Sequence, residues 1–97
     1  MNNKEQKRIF TTATETTDTA LSLLIGGQSL TIDFYTTCTQ GVDLYKTLKL
    51  HKNTITIINK YGSHKLACSV GDFTRIIKDL VYNTMLLPTT YAVINRL

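Results

Sequence analysis

Four side chains able to ligate a metal ion, Cys38, His51, His64 and Cys68, occur in this sequence, and their spacing argues against a shared site. Zinc sites usually draw ligands in close pairs from a tight knuckle, as in C-x2-C. The only close pair here is His64 and Cys68. On one strand they would share a face yet stand about 13 Å apart at ~3.3 Å per residue, too far to share an ion. The expectation is no metal and no cofactor, with Cys68 as small core filler and His64 beside a turn. Nucleophilic catalysis needs a Ser or Cys within reach of a base that a third group orients. Cys38 with either histidine and an aspartate supplies the types, but no G-x-S-x-G elbow is present, and Gly26-Gly27 lacks the further glycines and lysine of a phosphate loop. Asp33 and Asp43 read as polar-face strand residues. No catalytic residue is assigned and a non-enzymatic protein is expected. A small hydrolase would need a cleft uniting Cys38 or His51 with an acid.

The charge pattern is the stronger signal. Between Leu44 and Gly71 there is no acidic residue, while Lys46, Lys49, Lys52, Lys60 and Lys65 fall there together with His51 and His64. The net charge of +4 is concentrated in this block. On strands, Tyr45, Thr47, Lys49, Thr54, Thr56, Lys60 and Lys65 would project from one solvent face, with His51 at its rim. Lysines neutralise phosphates and a tyrosine offers a base a stacking platform. The block holds no arginine, so bidentate reading of guanine is not supported, and binding would be weakly sequence-specific. The expected nucleic-acid-binding residues are Lys46, Lys49, Lys52, Lys60, Lys65, Tyr45 and His51. The plainer reading is that lysines and threonines solvate the outer face of an antiparallel sheet.

The elements that must position these residues follow from hydrophobic period. Leu30 to Tyr35 alternates apolar and polar, the mark of a strand with one buried face. After a turn at 39–41, Val42, Leu44, Leu48 and Leu50 fall on one face of a second strand, with Lys46 an exception among them. Lys52-Asn53 reads as a two-residue turn into the β-branched run 54–60. Gly62-Ser63 reads as the centre of a type II′ hairpin turn leading to a short strand over 65–68. The period then becomes 3.6: Phe73, Ile76, Ile77, Leu80 and Val81 make one stripe of a helix, and Ser69 with Asp72 resembles a capping box. Beyond the stripe, Tyr82, Met85 and Leu86 are candidates for a homodimer or protein-partner contact.

Seventeen threonines, six of them within residues 11–19, lean the composition toward sheet. Residues 1–19 show little apolar periodicity apart from Ile9 and Phe10 and read as a polar, Thr-rich arm. For 20–25 the threonines favour strand, with a helix capped by Asp18 as the alternative. The tail 89–97 has Tyr91, Val93 and Ile94 to bury as either strand or short helix. The expectation is an α+β fold: an antiparallel meander of four to five strands over about 20–68, packed against one amphipathic helix over about 70–84, in a single domain spanning 20–97. No membrane segment or secretory leader is read, and two cysteines thirty residues apart fit free thiols in a cytoplasmic compartment.

A meander followed by one helix resembles, in topology, the Whirly-like folds that bind single-stranded DNA, although no motif matches residue by residue. Topology alone does not carry function; the expectation of a small, basic, non-enzymatic nucleic-acid-binding protein rests on the lysine block, and that of a homodimer on the way a small sheet covered by one helix often completes its core. The alternative is a protein–protein module, of the kind found among viral and phage accessory regulators, acting through the helix and tail.

Overall fold

The computed structural model describes residues 7–97. The chain runs β1 (Lys7–Phe10), α1 (Ala13–Ile25), β2 (Leu30–Cys38), β3 (Gly41–His51), β4 (Thr54–Asn59), β5 (Gly62–Ala67), α2 (Val70–Met85) and β6 (Thr90–Arg96). The strands form one antiparallel sheet in the order β1-β6-β2-β3-β4-β5. The fold is α+β as expected, with six strands and two helices rather than four or five and one.

The elements beyond that expectation are β1 and α1, which occupy the segment expected as an arm and the stretch 20–25. The Thr-rich segment is structured: residues 7–10 form an edge strand on β6, and α1 begins at Ala13. Residues 1–6 of the expected arm lie outside the described residues. The segment 20–25, favoured as strand, is the second half of α1. Threonine disfavours helix because it is stiff at χ1 and competes for backbone hydrogen bonds. Here that competition is absorbed. The buried Thr16 and Thr17 hydroxyls donate to the carbonyls of Thr12 (2.9 Å) and Ala13 (2.7 Å), so neither enters the core unsatisfied.

The helix starts on Thr12, whose hydroxyl accepts from the Glu15 backbone N–H and donates to its carboxylate at 2.8 Å. That is a T-x-x-E cap, displacing Asp18 from the expected capping role. Its end is a Schellman turn. Gly27, at φ +84°, donates to the Leu24 carbonyl and Gln28 to that of Leu23.

The core lies between the two helices and one face of the sheet. Leu30, Ile32 and Phe34 of β2, Leu48 and Leu50 of β3, Ile55 of β4 and Ala92 and Ile94 of β6 are buried there against Ala20 of α1 and Ile77 and Val81 of α2. The expected stripe of α2 faces this core: Phe73, Ile76 and Leu80 pack on its margin. Ser69 caps α2 as expected, accepting from the Asp72 N–H and donating to its carboxylate at 2.8 Å. These bonds, with Arg75 alongside, hold the Asp72 carboxyl below its usual pKa. The tail, left open between strand and helix, is β6, inserted between β1 and β2 with Ala92 and Ile94 facing inward.

Two local corrections govern where charge goes. The pairing of β2 with β3 shifts between Phe34 and Tyr35, so Phe34 faces Lys46, Tyr35 faces Leu44, and Tyr45 is an extra, unpaired residue. Such a bulge reverses the alternation on either side of it. Val42 and Leu44 thus share the uncovered face with Thr47 and Lys49, not the core face with Leu48 and Leu50. The next turn is also displaced. Asn59 pairs with Gly62, placing Lys60 and Tyr61 at the hairpin tip instead of Gly62 and Ser63. The Asn59 side chain accepts from the Tyr61 N–H at 2.8 Å, an Asx turn that sets this register.

Phe34 is the largest fully buried side chain and sits where β2, β3 and β6 meet. Phe34→Ala is expected to lower unfolding stability by about 3–5 kcal/mol, and Ser69→Ala by about 1 kcal/mol, in urea titrations.

Candidate nucleic-acid interface

In an antiparallel sheet, residues directly opposite one another project from the same face. The register therefore sets Thr31, Lys49, Thr56 and Lys65 in one row across β2, β3, β4 and β5, on the face that no helix covers. Beside this row, His51 pairs with Thr54. Lys49, His51, Thr54, Thr56 and Lys65 line a hollow of about 650 Å³, completed by Gly27, Gln28, Ser29 and Leu97. None of these residues carries a carboxylate side chain. The Ser29 hydroxyl hydrogen-bonds His51 Nδ1, tying the imidazole to the loop after α1. Serine beside histidine is the start of a nucleophilic pair, but no third side chain orients this imidazole among the described residues, and the contact fixes the ring at the rim.

The next row carries the face's polar anchor. Asp33 accepts from Thr47 at 2.8 Å and from Asn95 at 2.9 Å, so its carboxylate is engaged within the sheet. Beyond it Tyr35 and Tyr91 stack at 5.5 Å between centroids. Burial raises the Tyr35 pKa, assisted by the charge of Asp33 and the neighbouring Tyr91. Interleaved with these polar groups are apolar side chains: Ile9 opposes Val93, and Ile58 opposes Thr47.

The structure divides the expected lysine set. Lys49 and Lys65 converge with His51. Lys52 occupies the β3–β4 turn at φ 52°. Lys46 projects from the helix-side face because it opposes Phe34, its Nζ lying 5.8 Å from the Phe34 centroid and 5.9 Å from that of Tyr45. Lys60 is at the β4–β5 tip, 5.2 Å from the Tyr61 ring centroid. Tyr45, expected beside Lys49, is carried away from it by the bulge. Tyr45, Lys46, Lys60 and Tyr61 border a second hollow on the helix-side face.

Of the expected partner contact, Tyr82 and Leu86 are exposed, while Met85 packs against the core. Cys38 is exposed and donates toward Asp43, Cys68 is buried, and both are free thiols. Among the described residues, no three His, Cys, Asp or Glu side chains gather as a ligand set. No helix among them is long and apolar enough to cross a membrane.

Sequence reasoning missed Ser29 and Gln28, which the Schellman turn delivers to the hollow, and Tyr61, delivered to the hairpin tip by the Asx turn. The G-G after an apolar run and the N-x-Y at 59–61 were the available signals.

No family model matches this chain, and no curated protein or solved structure matches it either.

Lys46 is half-buried, and desolvation holds its pKa below the ordinary value of 10.5. A lowered folded-state pKa means folding disfavours the charged form. That penalty is in force at neutral pH and fades as pH rises through the folded value toward 10.5. Lys46→Met is therefore expected to raise the urea midpoint at neutral pH, with the advantage shrinking under alkaline conditions. An equal gain at every pH would contradict this origin.

Proposed function

We propose that the uncovered sheet face binds single-stranded or otherwise accessible nucleic acid through its phosphates, with Lys49 and Lys65 as the principal contacts and His51 assisting. The observation that carries this reading is the convergence of two lysines and a histidine in one hollow of about 650 Å³ without a carboxylate side chain in its lining. Two strand spacings separate Lys49 on β3 from Lys65 on β5, about 9–10 Å at ~4.8 Å each, so two points of an extended backbone can be held at once. Ser29, Thr54 and Thr56 add hydroxyls able to hydrogen-bond phosphate oxygens. The absence of arginine from the hollow favours contact with the backbone over reading of base edges. Lys52, in the adjoining turn, adds to the local positive field.

The test is fluorescence-polarisation binding to labelled single-stranded and duplex oligonucleotides across salt concentration. Binding is expected to weaken linearly in logarithmic salt, and Lys49→Glu or Lys65→Glu to lower both affinity and slope, by about 0.7 in slope for each single-strand phosphate contact removed. Wild-type binding with unchanged slopes in both variants would contradict the assignment.

A second reading concerns self-association. Ile9, Val42, Leu44 and Ile58 are 68%, 52%, 57% and 39% exposed, and all four lie on the uncovered face. We infer a homodimer joined through this apolar region of the sheet rather than through Tyr82, Met85 and Leu86. Val42 and Leu44 oppose Thr37 and Tyr35, toward the opposite strand ends from Lys49 and His51, which leaves the basic hollow at the margin of such an interface. Sedimentation is expected to show a dimer that Leu44→Asp converts to monomer. A wild-type monomer at high micromolar concentration would sink this reading.

A further inference from the structure

The second hollow has a composition unlike the first. It measures about 830 Å³, is lined by Thr36, Asp43, Leu44, Tyr45, Lys46, Ile57, Asn59, Lys60 and Tyr61, and receives no helix residue. Its floor is the helix-side face of the sheet, since Lys46 opposes Phe34 and Ile57 opposes Leu48. Its size suits a small ligand, for which pockets run from about 300 to 1,000 Å³.

Two observations point to what it would take. The first is Lys46. An ammonium group removed from water is costly unless it gains a partner, yet no carboxylate pairs with Lys46: the one ion pair among the described residues joins Arg75 and Asp72. Its neighbours are the rings of Phe34 and Tyr45, and burial depresses its pKa. The second is the pair of tyrosines. Tyr45 is the unpaired residue of the bulge, a feature that re-aims side chains beside functional sites. Tyr61 is 85% exposed at the hairpin tip, with the Lys60 ammonium beside it. A sheet surface that only needed solvation would gain nothing from an unpaired half-buried cation set between the buried Phe34 ring and the exposed Tyr45 ring.

We propose that this hollow binds a planar aromatic anion of nucleotide size, its phosphate paired with Lys46 and Lys60 and its ring stacked on Tyr61, with Tyr45 closing the inner side. Asp43, on the same lining, repels the phosphate from the β2–β3 end and favours the Lys46 and Lys60 side. Asn59 supplies an amide for the polar edge of the ring. The site lies on the face opposite the basic row and stands independently of the reading given to that row.

Calorimetric titration with adenosine 5′-monophosphate, adenosine and inorganic phosphate tests it. The monophosphate is expected to bind at one site, at least about tenfold more tightly than either fragment. Lys46→Met and Tyr61→Ala should each weaken it by about tenfold, as loss of a charged hydrogen bond or a stacking surface does. Tyr61 is exposed, so its variant reports on binding in a folded protein. Lys49→Glu separates the two sites by lowering oligonucleotide affinity while nucleotide affinity stays. The proposal is overturned if the monophosphate binds no better than inorganic phosphate, or if neither variant changes its affinity.

Discussion

One unpaired residue, Tyr45, decides which side chains each face of the sheet receives at the Gly41 end of β3. On the His51 side of the bulge, β3 turns Leu48 and Leu50 inward and Thr47 and Lys49 outward. On the Gly41 side the phase is reversed, so Leu44 and Val42 face out. Without the extra residue, Val42 and Leu44 would share the core face with Leu48 and Leu50. With it, the uncovered surface acquires an apolar end beside its polar and basic one, while Lys46, in phase with Leu48 and Leu50, faces inward over Phe34. The exposure of Val42 and Leu44 on the uncovered face and the place of Asp43 and Tyr45 beside Lys46 depend on this register.

The core tolerates that arrangement because it is built from the residues on which the register agrees. Leu30, Ile32 and Phe34 alternate without interruption, and α1 and α2 both close over them. Buried hydroxyls would ordinarily be an expense there. Thr16, Thr17 and Thr84 instead donate to carbonyls four residues back, so polar side chains enter the helix–sheet interface with their hydrogen bonds made. On the opposite face Asp33 is held by Thr47 and Asn95, and its charge is occupied within the sheet beside the lysine row.

What could be read from the sequence was what depends on period alone. The alternation at 30–35 and the i, i+3, i+4 stripe from Phe73 to Val81 each report one buried face, and both elements appear where the pattern set them. What could not be read depended on a single residue or bond. α1 was obscured by β-branched threonines, although Thr12 and Glu15 carry a helix-start signal and Gly26-Gly27 a helix-end signal. The bulge leaves no mark in composition, and a one-residue slip moves every later side chain to the other face. The site inherited those errors: Tyr45, moved by the bulge, and Lys60, carried to the displaced hairpin tip, assemble with Lys46 away from Lys49, Lys65 and His51. Tyr91 and Val93 lie on the uncovered face of β6 and Ala92 and Ile94 on the core face, so the tail lacked the clean polar alternation that identifies a strand.

The central claim is that nucleic acid meets the uncovered face at the row containing Lys49 and Lys65. Amide chemical-shift mapping during titration with a single-stranded oligonucleotide tests it most directly. The account predicts that the largest changes cluster at Ser29, Thr31, Lys49, His51, Thr56 and Lys65, with α2 unaffected. Shifts concentrated on α2 and the following turn, or no shifts at low salt, would contradict it.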